Sequence, residues 1–481
     1  MKFNVRMAAL LALSVALLGC SGDGDPNNAN PLVPKASING PTAQGSRAFA
    51  ATPSVVDLKT AGYAEEEFFI EGTARAFKPE GTWGTDGKWP VVETSSAPYK
   101  TRILVRRPVN PQKFSGVVIV EWFNVTSNID IDVDYQFLQE EILRSGHVWV
   151  GVTAQAVSIS SNGDGSLGKG ALGLKAWDPV RYASLQHPGD AYSYDIFSQV
   201  GAMLKNPGAT DPLRGLAPKV LLADGESQSA FRLLTYVNAI HKQALVYDGF
   251  LVHSRNGTGA PIAAGIPVPA PAQVRTDLTA PVFQFITESD LFKLGTGSNA
   301  FPPARQPDSP SVHTWEVAGT AHSDRYSVEQ LAKQGNLQFD SFIDLSRALA
   351  IINSAPQHLV MNAALRSLVR WVEQGARPTS APPISTQGGT VVRDARGNAL
   401  GGVRLPFSDV PVAVLSGEGP IGFSGLTVPF DQATLKALYP TADVYVQAVT
   451  TAAQAAVAKG FLLAADAQTL VEAARKNPPV Q

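Results

Sequence analysis

Cysteine is almost missing from this chain: Cys20 is the only one in 481 residues. One thiol, placed so early, leaves the rest of the sequence without a disulfide, a cysteine-based metal site or a catalytic thiol. Charge of one sign is missing too. The 39 Lys and Arg nearly balance the 41 Asp and Glu, and no basic block occurs. That excludes the electrostatic footprint of a nucleic-acid-binding protein. Beyond Cys20 no apolar run reaches the length of a membrane span, and no internal repeat is found. What remains is 44% hydrophobic residues, enough for a sizeable core, with 42 Gly and 35 Pro that point to many loops.

The N-terminus reads as an address. Lys2 and Arg6 precede an apolar stretch over 7–18 that is too short for a stable membrane span and has the build of a secretory signal. It ends in Leu17-Leu18-Gly19-Cys20, which resembles the bacterial lipoprotein signal, cleaved before the cysteine and lipidated on its thiol. The expectations are a signal peptide over 1–19 and a lipid anchor at Cys20. Export to a bacterial membrane follows, and Ser21 directs the outer membrane. Residues 20–50, rich in Gly, Asn, Pro, Ser and Ala, are expected to form a flexible tether.

From residue 51 the pattern is that of a folded domain. Strand-like runs occupy 67–74 and 99–106, and a continuous apolar run at 117–120 has the signature of a buried parallel strand. A helix is expected over 132–145. Further strands follow at 147–153, 220–223, 247–252, 282–287 and 312–317, and a helix at 354–375. Strands alternating with helices predict an α/β fold with a mostly parallel central sheet flanked by helices. Two long loops, 158–174 and 255–279, leave the sheet at its carboxyl edge, where such folds bind ligands. A Pro, Ser and Gly-rich boundary at 377–390 opens a C-terminal extension, about 380–481, with helices over 442–459 and 465–476.

The chemistry concentrates at Gly225-Glu226-Ser227-Gln228-Ser229. An apolar strand runs into this turn, and a helix-period segment leaves it, with Ala230, Leu233, Leu234 and Val237 on one face. Strand, sharp turn and helix is the context that makes a serine a nucleophile. A turn serine capping a helix is the plainer alternative, and the last position of the usual motif is Ser229 instead of Gly. A serine nucleophile needs a base and a carboxylate to orient it. Downstream, a strand ending at Thr287 is followed by Glu288-Ser289-Asp290, and a strand ending at Val317 by Ala318-Gly319-Thr320-Ala321-His322. His322 is the favoured base. His253, at a strand end, competes with it, while His147, His241, His313 and His358 read as structural. Asp290 is the favoured acid and Glu288 the alternative. The oxyanion donors are expected from the backbone of Gln228 and of the 121–124 segment, Trp122 or Phe123.

Together these residues resemble a bacterial α/β-hydrolase-domain family that carries a Val-Glu-Trp-Xaa-Asn-Val strand end and a Gly-Glu-Ser-Gln-Ser elbow. Here those are Val120 to Val125 and Gly225 to Ser229. The matching pieces include Gly151-Val152-Thr153-Ala154-Gln155, Thr287 to Asp290, Glu316 to His322, and Gly460 to Asp466, so the resemblance runs over about 55–475. It implies the α/β-hydrolase fold across 51–481, with the extension integral to the domain, and the roles of Ser227 and His322. It does not choose between the two acids. The expected function is a lipid-anchored serine hydrolase acting on a small-molecule or polymeric carboxylic ester, without metal or organic cofactor. Amide, thioester or polyester cleavage on the same scaffold stays open, as does a non-catalytic surface-binding lipoprotein; oligomeric state is left open.

Overall fold

The computed structural model describes residues 32–42, 45–51, 53–161, 172–292, 299–333 and 349–480. Cys20 and the expected signal peptide lie outside these residues, as does part of the 158–174 loop.

Nine strands form one sheet: β1 (Ser37–Asn39), β2 (Tyr63–Pro79), β3 (Val91–Pro108), β4 (Val117–Trp122), β5 (Val148–Val152), β6 (Val220–Glu226), β7 (Gly249–His253), β8 (Val282–Thr287) and β9 (Val312–Val317). Their spatial order is β1-β2-β3-β5-β4-β6-β7-β8-β9. From β5 to β9 all neighbours pair in parallel, while β1, β2 and β3 pair antiparallel at one edge. The apolar run of β4 exists because both of its faces are covered. Val118, Val120 and Trp122 pack on one side with Tyr194, Phe197, Leu233 and Leu234, and Val117 and Ile119 pack on the other with Phe137, Leu138, Leu359 and Leu365. The helices that cover these faces are α1 (Val133–Ser145), α2 (Ser193–Lys205), α3 (Gln228–Thr235) and α4 (Gln357–Gln374).

The strand order places the site. After β4 the chain crosses outward to β5 and then returns to the other side of β4 as β6. The loops leaving β4 and β6 therefore diverge, and such a switch point opens a crevice at the carboxyl edge of a parallel sheet. Asn124 and Glu226 meet across it.

The structure refines three expectations. Of the 20–50 tether, the described residues 32–42 and 45–50 are a built part of the fold. Ile38 lies in β1 against β2, and Ala50 is buried, its carbonyl accepting from Arg102 at 2.6 Å. Its few apolar residues are too irregularly spaced to show a period. The 67–74 and 99–106 strands are parts of a longer hairpin, whose 92–98 arm is largely exposed and so lacks apolar patterning. The 255–279 loop is pinned to α3, with Thr235 Oγ1 donating to Ala260 O at 2.6 Å and Ile262, Ala272 and Val274 in the core.

The C-terminal extension is woven into the sheet edge. Val403 bridges Val317 of β9, and the helices α5 (Ala442–Lys459) and α6 (Ala464–Lys476) bury Ala453, Ala456 and Phe461 with the α4 side of the core. Asp466 takes two hydrogen bonds from Arg144 of α1, at 2.5 and 2.8 Å.

One buried cation joins several of these pieces. Arg102 of β3 donates to Glu67 at 3.0 Å, Asp130 at 3.0 Å, Thr153 Oγ1 at 3.0 Å and Ala50 O. Arg102→Ala leaves both carboxylates without it, so urea unfolding is expected to show a loss of about 3–5 kcal/mol.

Candidate active site

The elbow is the first element of the site. β6 ends at Glu226 and α3 begins at Gln228, so Ser227 alone makes the turn, with φ 55° and ψ −116°. That backbone is strained for a residue with a Cβ, and the surroundings hold it there. Ser227 N–H donates to His253 O at 3.0 Å, anchoring the turn to β7. Ser229 explains the departure from glycine: its Oγ donates to Glu226 O at 2.8 Å and accepts from Glu226 N–H at 3.0 Å, closing the turn on itself.

Asp290 and His322 arrive from the ends of β8 and β9. His322 Nε2 lies 2.7 Å from Ser227 Oγ, and Nδ1 lies 2.8 Å from Asp290 Oδ1. The second Asp290 oxygen accepts from Thr287 N–H and Thr287 Oγ1, both at 2.8 Å, which fixes the carboxylate's orientation. Glu288 stands apart. Its Oε2 accepts from Gly319 N–H at 2.8 Å, and its Oε1 from Arg393 at 2.8 Å and Gly417 N–H at 3.1 Å. It ties the C-terminal extension to β8 and β9, and Asp290 is the acid beside His322.

The competing histidine is elsewhere. His253 is fully buried between Phe137 and Phe285, with Nδ1 2.7 Å from Asp134 and Nε2 3.3 Å from the Gln357 amide. Burial holds its ring down at about 4. His147, His241 and His358 are also carried down to about 4 by burial, as suits core histidines, and His313 Nε2–H donates to Thr379 O at 3.2 Å.

The oxyanion expectation changes. Trp122 lies inside β4, its indole packed on Tyr194 and Phe197. Phe123 N–H donates to Val152 O at 3.3 Å, extending the β4–β5 pairing, and Asn124 N–H donates to Ile131 O at 3.0 Å. The amide of this segment that turns to the elbow is that of Val125, which donates to Gln228 Oε1 at 3.3 Å. Gln228 itself opens α3, and first-turn amides have no acceptor within a helix.

Two further residues stand at the site that their sequence context did not reveal. Glu226 is buried, with Oε1 3.2 Å from His322 Nε2 and Oε2 accepting from Asn124 Nδ2 at 3.1 Å. Phe423, from the C-terminal extension, sets its ring 5.3 Å from that of His322 and is 44% exposed. Ser289 Oγ and Ser323 N–H both donate to its carbonyl. Burial opposes charge on the His322 ring, yet Glu226 and Asp290 outweigh it and raise the ring to about 9. Burial pushes the Glu226 carboxyl up to about 7. Among the described residues no group of His, Asp or Glu is arranged to hold a metal ion, and no helix is long and apolar enough to cross a membrane.

A strained serine between strand and helix, with a histidine and an acid behind it at successive strand ends, is the arrangement of one large family. The model of that family, described as an alpha/beta hydrolase domain, matches residues 38–472. The chain belongs to the alpha/beta hydrolase domain family. The match takes in most of the C-terminal extension. No curated protein sequence matches the chain. Among solved structures it is similar to the Pyrococcus furiosus esterase Pf2001, at 10% identity and TM-score 0.26 over 57% of this chain and 89% of that one. It is also similar to a fungal esterase from Rhizomucor miehei, at 11% identity and TM-score 0.28 over 67% of this chain and 92% of that one.

Proposed function

We propose that this alpha/beta hydrolase domain protein is an exported, lipid-anchored serine hydrolase that cleaves carboxylic esters. The observation that carries the reading is the relay from Ser227 Oγ through His322 to Asp290, at 2.7 and 2.8 Å. Ser227 Oγ bonds to the acyl carbon while its proton passes to His322 Nε2, and the carbonyl π pair moves to oxygen. The oxyanion is received by the amide of Gln228 and by that of Val125, after the half-buried Gln228 side chain rotates off it. On collapse the bond to the leaving oxygen breaks, and that oxygen takes the proton from Nε2. Water then repeats the sequence on the acyl-enzyme and releases the acid. Asp290 keeps the imidazole oriented and offsets its charge. These steps need only side chains, backbone amides and water.

Lys2, Arg6, the apolar 7–18 stretch and Leu17-Leu18-Gly19-Cys20 support the anchor. Phe423 beside His322 supports an apolar acyl or alcohol group in the substrate.

The substrate class is tested with matched short-chain ester, amide and thioester substrates and a polyester film. The expected result is the highest kcat/KM on the ester. A higher value on the amide or thioester replaces the ester assignment, and release from the film alone narrows it to a polymeric ester. Inactivity on all four favours a binding protein.

A further inference from the structure

Glu226 is a buried carboxylate facing His322, which is charged only when protonated. The titratable groups acting on it are His322, His253 from the end of β7, Asp134 from α1 and Asp290 after β8, none of them Lys or Arg. Placing such a charge out of water is costly unless something offsets it. A structural role would not need the charge. Asn124 Nδ2 donates to both the side chain and the carbonyl of Glu226 at 3.1 Å, and Ser229 clamps the backbone. A glutamine amide oxygen would accept from Asn124 equally well. The remaining oxygen, Oε1, lies 3.2 Å from His322 Nε2, the same nitrogen that serves Ser227. The ring is thus held between two carboxylates, Asp290 on Nδ1 and Glu226 on Nε2.

We propose that Glu226 is a positioning residue that acts through His322: its carboxylate steadies the protonated ring on the nucleophile's side and places the enzyme's active range on the alkaline side of neutrality. The inference rests on the reading of Ser227 as nucleophile and His322 as base. At rest, between the values of about 7 for Glu226 and about 9 for His322, the two share an ion pair, and His253, at about 4, stays neutral. In that state Nε2 carries a proton and cannot take one from Ser227. As pH rises through the His322 value the ring becomes neutral and activity appears. Once the ring is free it is a stronger base, because the imidazolium it becomes faces a negative charge 3.2 Å away. The proton balance of the reaction is unchanged: Glu226 keeps its charge while the Ser227 proton passes to Nε2 and on to the leaving oxygen.

The test compares kcat/KM against pH for wild type and Glu226→Gln on one short ester, with Ser227→Ala as the reference. The wild-type acid limb is expected above the ~6.5 of a free imidazole. In Glu226→Gln the limb should move to lower pH by about one to two units, and the alkaline plateau should fall about tenfold. Superimposable profiles overturn the proposal, as does a limb that moves upward. Should Glu226→Gln not fold, the wild-type limb decides: above ~6.5 supports the proposal, at or below ~6.5 overturns it. An inactive Ser227→Ala beside superimposable profiles removes Glu226 alone. A fully active Ser227→Ala removes the nucleophile assignment and this inference with it.

Discussion

Ser227→Ala is expected to lower kcat on a short p-nitrophenyl ester by about four orders of magnitude or more, leaving the unfolding midpoint in urea nearly unchanged. The magnitude follows from what the hydroxyl does. With no oxygen to attack the carbonyl there is no acyl-enzyme, and His322 and Asp290 have nothing to deprotonate. Binding and oxyanion contacts alone retain only a residual ~10³–10⁴-fold advantage over water. Stability is spared because Ser227 Oγ makes its hydrogen bond to His322, at 2.7 Å, and not to the core. The turn itself is held by the backbone, through His253 O and through Ser229 on Glu226. The strained φ of 55° is equally awkward for alanine and serine, so the substitution neither relieves nor adds strain.

The second large effect separates the two acids. Asp290→Asn is expected to reduce kcat by about 10⁴ with little loss of stability. Thr287 N–H and Oγ1 both donate to one carboxylate oxygen, so the asparagine must turn its carbonyl toward Thr287 and its NH₂ toward His322 Nδ1. An imidazole that accepts at Nδ1 carries its proton on Nε2, facing Ser227, and cannot act as base. Glu288→Gln should do the reverse. That carboxylate accepts from Arg393, Gly319 and Gly417, so neutralising it strips the buried side of an ion pair. A loss of about 3 kcal/mol or more in urea unfolding is expected, with kcat within about tenfold of wild type once folded. Opposite results for the two variants would reassign the acid.

The contrast between these neighbours shows what a sequence reading reaches. Strands β4, β6, β8 and β9 stand out as apolar runs because helices cover both faces of the sheet, and the turn or loop after each strand is where its polar residue must be. The order Ser227, Asp290, His322 could therefore be read directly. The identity of the acid depended on where Gly417 and Arg393 fold back, contacts more than a hundred residues away in sequence. The second oxyanion amide proposed above, that of Val125, lies outside the segment the sequence offers, for a related reason. Phe123 looks free at a strand end, but pairing with β5 takes its N–H, and that pairing carries no mark in the residues of β4. Helix α2 was missed because it buries Asp195, Ser198 and Gln199 along with Tyr194, Ile196 and Phe197, leaving no clean apolar stripe. Glu226 carries no assigned role in the sequence although it belongs to the elbow; a charged residue closing an otherwise apolar, fully covered strand is the available signal.

Covalent labelling shows whether Ser227 is an activated nucleophile. Folded protein treated with a fluorophosphonate and digested should show by mass spectrometry one stoichiometric adduct, on Ser227, which His322→Ala abolishes or slows severely. A folded protein that takes no label, or takes it on a different serine, would mean that Ser227 is not the nucleophile.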